Sequence, residues 1–236
     1  MKDIRQTKAK YVMKICKDII TNDVPAVGQL KGSDCISFET TENADIKLLF
    51  LGNSITRHGK AENLGWCGDW GMAASSKEND YVHKLISKFC QKGVKVSVCI
   101  ANLSDWERTR NMDLLFTKYS SALRFNADYV IVRLGENACP DKYLSEFELC
   151  YGELTDLFSR NGAKIVLTDL FWEYEPFDNF VAELAKARGY AFAEIHDLGN
   201  DDEMKAIGKF SHNGVAVHPG DKGMAEIAER IFRVMN

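Results

Sequence analysis

The sequence predicts a doubly wound α/β sandwich, in which a mainly parallel β-sheet carries helices on both faces. Three observations lead there. Short, continuous apolar runs rich in β-branched residues recur from residue 46 onward: IKLLFLG, VKVSVCIA, DYVIVRLG and AKIVLTDLF, with YAFAEI as a weaker fifth. They lack polar alternation, as expected of strands buried on both faces of a parallel sheet. Amphipathic helical stripes alternate with them. Right-handed crossovers between parallel strands then place helices on both sides of the sheet.

Taken in order, residues 4–21 carry Ile4, Tyr11, Ile15 and Ile19 at helical spacing and predict an N-terminal helix. Residues 22–45, with Pro25, Gly28 and Gly32, read as a connector holding a short strand at residues 35–38. The regular pattern then begins. Helical stripes are expected around Tyr81, Val82, Leu85, Ile86 and Phe89, and around Leu144, Phe147, Tyr151, Leu154, Leu157 and Phe158. A third contains Phe180, Val181, Leu184 and Ala185, and the last Met224, Ile227, Ile231 and Met235. The chain has four prolines, no internal repeat and no Gly/Ser-rich linker, so residues 46–236 are expected to form one domain preceded by a 1–45 extension.

Bulk properties exclude several classes of function. The 236 residues are 45% hydrophobic and 27% charged, with a formal net charge of -4, so no chain-wide attraction to nucleic acid or anionic lipid is expected. No apolar stretch approaches the roughly 20 residues that span a bilayer. The N-terminus alternates charge with apolar residues and has no signal-peptide core. The seven cysteines, an odd number with no CxxC pair, read as buried free thiols in a reducing, cytoplasmic setting. Cys67 and Cys139 lie in loops near the proposed site. No phosphate-binding loop, dinucleotide fingerprint or metal-ligand spacing is present, so neither a metal nor another cofactor is expected.

Ligands of such sheets bind beyond the carboxyl ends of the strands, which directs attention to three blocks. The first run ends in Gly52-Asn53-Ser54-Ile55-Thr56, where a serine just past a strand could be exposed. If a helix starts there, its free N–H groups could stabilise an oxyanion. The third ends in Gly135-Glu136-Asn137, whose amide can donate two hydrogen bonds. Before the last helix comes His218-Pro219-Gly220-Asp221, where the proline keeps His218 out of helical geometry.

Together these blocks resemble the SGNH/GDSL hydrolase family, over roughly residues 46–236. The resemblance implies a flavodoxin-like three-layer α/β/α sandwich with parallel strands in the order 2-1-3-4-5. It also implies Ser54 as nucleophile, His218 as base, and the Ser54 N–H and Asn137 amide as oxyanion donors. Three departures stand out. Asn53 replaces the family's aspartate. The glycine of the second block, a further oxyanion donor, falls by spacing at Glu107, which Arg108 or Arg110 could pair. The aspartate usually found three residues before the histidine is Val215. Three arrangements fit that last change: a Ser–His dyad with a backbone carbonyl holding the imidazole, a carboxylate from elsewhere (Asp169, Glu173 or Asp221), or an inactive relative.

The four tryptophans fall near the expected cleft, and Asn53, Trp66, Trp106 and Trp172 are the candidate substrate contacts. His58 is a further candidate, whereas His83 reads as structural. The function expected is hydrolysis of a small-molecule or glycan ester, an O-acyl or O-acetyl group on a carbohydrate. A glycan-binding module without turnover and an acyltransferase are the alternatives.

Overall fold

The computed structural model describes residues 35–138 and 140–235. The helix expected at residues 4–21, Cys16 and Cys139 lie outside the described residues. Six strands form one sheet: β1 (Ile36–Glu39), β2 (Ile46–Gly52), β3 (Val96–Asn102), β4 (Tyr129–Arg133), β5 (Lys164–Thr168) and β6 (Ala191–Ala193), in the order β1-β3-β2-β4-β5-β6. The five strands from β2 onward are parallel, in the 2-1-3-4-5 order that the resemblance implies. Strand β1 comes from the expected connector and pairs antiparallel with β3, Ile36 opposite Ala101. The Thr41 hydroxyl then donates to the Val96 carbonyl at 2.8 Å and pins the chain to that edge.

The apolar runs become strands because both of their faces are covered. Every residue of β3 is buried, as are the last five of β2. Leu49, Leu51, Val132 and Leu167 pack against Phe147, Tyr151 and Leu154 of α5 (Pro140–Ser159) and against Phe177 and Val181 of α6 (Glu175–Arg188). Their strand neighbours Leu48, Phe50, Ile131 and Val166 point the other way. They meet Tyr81, Val82 and Leu85 of α1 (Tyr81–Gln91) and Met224, Ile227 and Ile231 of α8 (Asp221–Met235). Each large side chain so buried contributes roughly 1.5–3 kcal/mol. The intervening α2 (Ser104–Thr109), α3 (Asp113–Phe116), α4 (Ser120–Leu123) and α7 (Asn213–Ala216) are one or two turns long. None of the described helices is long and apolar enough to cross a membrane.

A third, smaller cluster organises the carboxyl edge. Leu64, Trp66, Met72 and Ala73, from the long loop after β2, pack with Ala206 and Val215. This cluster brings the loop after β2 against the segment before α8. Asp80 strengthens the arrangement. It caps α1 by accepting from His83 N at 2.8 Å, and its other oxygen accepts from Gly71 N at 3.1 Å.

Candidate active site

Strand β2 ends at Gly52 because the next turn leaves no room for a side chain. A Cβ there would lie 1.8 Å from Thr56 Oγ1, which is held by Tyr81 Oη at 2.8 Å. The Asn53 carbonyl accepts from both Thr56 N and Arg57 N at 3.0 Å, which makes a tight turn rather than the start of a helix. Half-buried Ser54 sits on that turn.

His218 approaches from the segment between α7 and α8. Its Nε2 lies 2.9 Å from Ser54 Oγ, and its Nδ1 lies 2.7 Å from the Gly214 carbonyl oxygen. A carbonyl only accepts, so Nδ1 carries the ring proton and Nε2 is left to accept from the serine. Burial, joined by the nearby His58, Arg133 and His212 and opposed by the Gly214 carbonyl, pushes the imidazole down to about 3. Among the three arrangements that Val215 left open, the geometry is that of a carbonyl-held imidazole. Val215 itself is buried in the loop cluster. Asp169 is bonded instead to His196 Nδ1 at 2.6 Å. Glu173 accepts from Asn200, and Asp221 accepts from Ser75 N and Oγ.

Under the Ser54 turn lies a polar network that the sequence shows only as scattered charges. Fully buried Glu107 accepts from Asn53 Nδ2 at 3.1 Å, Gly135 N at 2.5 Å and Asn137 Nδ2 at 2.8 Å. Fully buried Arg133 donates to Asn53 Oδ1 at 2.5 Å and pairs with Glu136, whose other oxygen accepts from Asn53 Nδ2 at 2.6 Å. Burial, and after it the charge of Glu136, pushes the Glu107 carboxyl above its ordinary range. Gly135, at φ 139°, is required where it stands, because a Cβ would collide with Leu170 and Phe177 at 2.7 Å. The visible signal for this network was Arg133, a charge inside an otherwise apolar strand.

Several expectations are corrected by placement. The Glu107 N–H donates to the Leu103 carbonyl at 2.9 Å inside α2, so that backbone group is not turned to the cleft. Glu107 does not pair with Arg108 or Arg110: Arg108 donates to Asn137 Oδ1 at 2.7 Å, and Arg110 meets Glu146. Asn53 is buried and fully engaged by the network rather than facing a ligand. Trp106 is 0% exposed and packs on Phe147 in the core. Trp66 is 2% exposed and donates to the His58 carbonyl within the loop cluster. Trp172 alone of the four rests on the candidate base, edge-on to His218 with ring centroids 5.1 Å apart. His83 is the structural residue expected, bridging Asp80 and Glu39. Among the described residues, no cluster of three or more His, Cys, Asp or Glu is arranged to hold a metal ion.

No family model matches the chain, and no curated protein matches it either. Solved structures do match its fold. The psychrotrophic esterase EstA from Pseudoalteromonas sp. aligns with a TM-score of 0.54 and 14% identity, over 81% of this chain and 97% of that one. A protein designated a GDSL-like lipase, from Parabacteroides merdae, aligns with a TM-score of 0.53 and 16% identity, over 81% and 97%. LAE5, an alpha/beta hydrolase from the metagenome of Lake Arreo, gives 0.53 and 16%, over 82% and 97%. The chain has the fold of the SGNH/GDSL esterases and lipases.

Proposed function

We propose that this protein is an ester hydrolase in which Ser54 is the nucleophile and His218 the general base, working as a dyad. The observation that carries the reading is the 2.9 Å approach of Ser54 Oγ to an imidazole nitrogen whose other nitrogen is committed to a backbone carbonyl. In the reaction, His218 Nε2 takes the hydroxyl proton as Ser54 Oγ bonds to the ester carbonyl carbon. The developing oxyanion is met by the Ser54 N–H and the second N–H of the Asn137 amide, the first being held by Glu107. The imidazolium then protonates the departing alcohol. Water, deprotonated by the same nitrogen, releases the acid from Ser54.

Without a carboxylate on Nδ1 the imidazolium is stabilised only by a carbonyl dipole. The dyad therefore relies on the oxyanion donors for much of its rate. Half-buried Trp172, an aromatic ring beside His218, supports a ring-shaped alcohol, and an O-acyl or O-acetyl group on a carbohydrate is the ester class we favour. The test is p-nitrophenyl acetate hydrolysis by wild type, Ser54→Ala and His218→Ala, each checked for folding. Both variants are expected to lose at least about 1,000-fold in kcat, and a fluorophosphonate is expected to label Ser54. Turnover surviving in Ser54→Ala would overturn the assignment. Labelling of Ser54 without turnover of any acetylated sugar would point to a different ester or to acyl transfer.

A further inference from the structure

We propose that Glu107, assisted by Arg108, is the positioning residue of the oxyanion site, aiming the Asn137 amide through its side chain. The inference rests on the Ser54–His218 reading above and adds a role for a residue outside that dyad.

The Asn137 amide is gripped at both ends. Its Nδ2 donates to Glu107 Oε2 at 2.8 Å, and its Oδ1 accepts from Arg108 Nη2 at 2.7 Å. A carboxylate offers only acceptors and a guanidinium only donors, so together they set which end of the amide points where. One Nδ2 hydrogen is spent on Glu107 and the other is left directed away from it, available to an oxyanion. The second Glu107 oxygen accepts from Gly135 N and from Asn53 Nδ2, which places the β4 loop and the nucleophile turn on one shared anchor. A single side chain thus sets the distance between the serine and the amide that must act together. An oxyanion donor is effective only when held in place before the charge develops.

The network also gives a reason for asparagine beside the nucleophile. Both Asn53 Nδ2 contacts, Glu107 and Glu136, are carboxylates, and both Oδ1 contacts, Arg133 Nη2 and Ile55 N, are donors. Only an amide supplies two donors on one side and an acceptor on the other. An aspartate would set a third carboxylate against two others, with Arg133 the cation that meets Glu136 and position 53. A buried acid at 107 and an amide at 53 are therefore a matched pair. The cost is a buried carboxylate, which burial and then the charge of Glu136 push above its ordinary range.

The test is a double-mutant cycle on p-nitrophenyl acetate using Glu107→Gln, Asn137→Ala and the double variant, with Ser54→Ala alongside. Glutamine keeps the volume but turns one acceptor into a donor, which must face Asn137 Nδ2 or the Gly135–Asn53 pair. The expected result is a fall in kcat of about 10- to 100-fold with KM within about twofold, a fraction of what an oxyanion donor is worth. In the Asn137→Ala background the same substitution should cost less than about threefold, because its effect runs through that amide. A purely structural role would give independent losses that multiply. Such additivity, or an unchanged kcat in Glu107→Gln, overturns the proposal while the dyad reading stands. Turnover surviving in Ser54→Ala overturns both. Should Glu107→Gln fail to fold, Arg108→Met probes the other end of the same grip from a half-buried position. It should lower kcat about 3- to 10-fold in wild type and hardly at all beside Asn137→Ala, and equal losses in the two backgrounds overturn the proposal.

Discussion

His218 and His83 are both held through Nδ1, yet the two regions push their imidazoles in opposite directions. At His218 the Nδ1 partner is a neutral carbonyl 2.7 Å away, burial dominates, and the group is pushed down to about 3. At His83 burial also opposes charge, but Asp80 at 2.7 Å and Glu39 at 3.0 Å outweigh it and lift the group to about 9. His196, bonded to Asp169 and more exposed, is likewise raised, chiefly by that bond. A carboxylate orients a ring and charges it, whereas a carbonyl orients it and leaves it neutral. Of these three rings the candidate base is the one whose Nδ1 meets a carbonyl, as His58 Nδ1 also does at Gly59, while the carboxylate-bound rings sit at the β1–α1 contact and beyond β5.

The sharpest way to break this contrast is to give His218 the carboxylate that the resemblance leads one to expect. Val215→Asp would place an acid in the cluster of Trp66, Met72 and Ala206, where Val215 is 1% exposed. Burial of that group without donors is expected to cost about 3 kcal/mol, seen as a fall in Tm of roughly 6–12 °C for a chain of this size. No gain in kcat should accompany it, because the Gly214 carbonyl already occupies the Nδ1 side. An unchanged Tm with a faster kcat would show that a carboxylate can replace the carbonyl and would undo the comparison.

The same contrast explains what could be read from the sequence. The strands were legible because doubly buried strands are unbroken apolar runs, and the Ser54, Asn137 and His218 blocks lay at strand ends or just before the last helix. Other features were legible only in part or not at all. A tryptophan after a strand reads alike whether it faces a cleft or a core, and only three-dimensional packing separates buried Trp106 and Trp66 from half-buried Trp172. The shared network of Glu107 and Arg133 was not legible, because Glu107 is reached by Gly135 and Asn53 across 28 and 54 residues and Arg133 reaches Asn53 across 80. A carbonyl holding His218 was one of three arrangements left open by Val215, and because every residue has a carbonyl no residue type announces which one it is. The antiparallel partner of β3 was visible only as a short apolar stretch, with nothing to specify its pairing.

A smaller effect is expected at His83. Its folded-state value lies above the ordinary 6.5, so its contribution to stability is complete below about pH 6.5 and is lost as pH rises through about 9. Glu39, held down to about 2 chiefly by its bond to His83, reports the same interaction and is not counted again. With screening at the partly exposed Glu39 allowed for, the contribution is about 2 kcal/mol at most. The Tm difference between wild type and His83→Gln should therefore be largest near pH 6 and shrink toward pH 10. A difference independent of pH would mean that His83 supports the β1–α1 contact by packing alone.

The smallest expected change is at the base itself. An imidazole with an ordinary value near 6.5 would cost roughly 30-fold in kcat/KM between pH 8 and pH 5, as the base becomes protonated. Burial of His218, with Arg133, His58 and His212 near enough to oppose a further positive charge, should keep it neutral across that range. The kcat/KM profile is expected to vary by less than about threefold from pH 8 to pH 5 while circular dichroism confirms the fold. Stability runs the other way. The unfolded chain protonates this histidine near 6.5 and the native state does not, so its contribution fades as pH falls below about 6.5 and is gone near 3. Activity should therefore end in acid by unfolding, with a midpoint that follows Tm and shifts with stabilising salts. An acid limb near pH 6.5 in a fully folded protein would place a charged imidazole beside Ser54, and burial at the carbonyl-held base would then not be keeping the ring neutral.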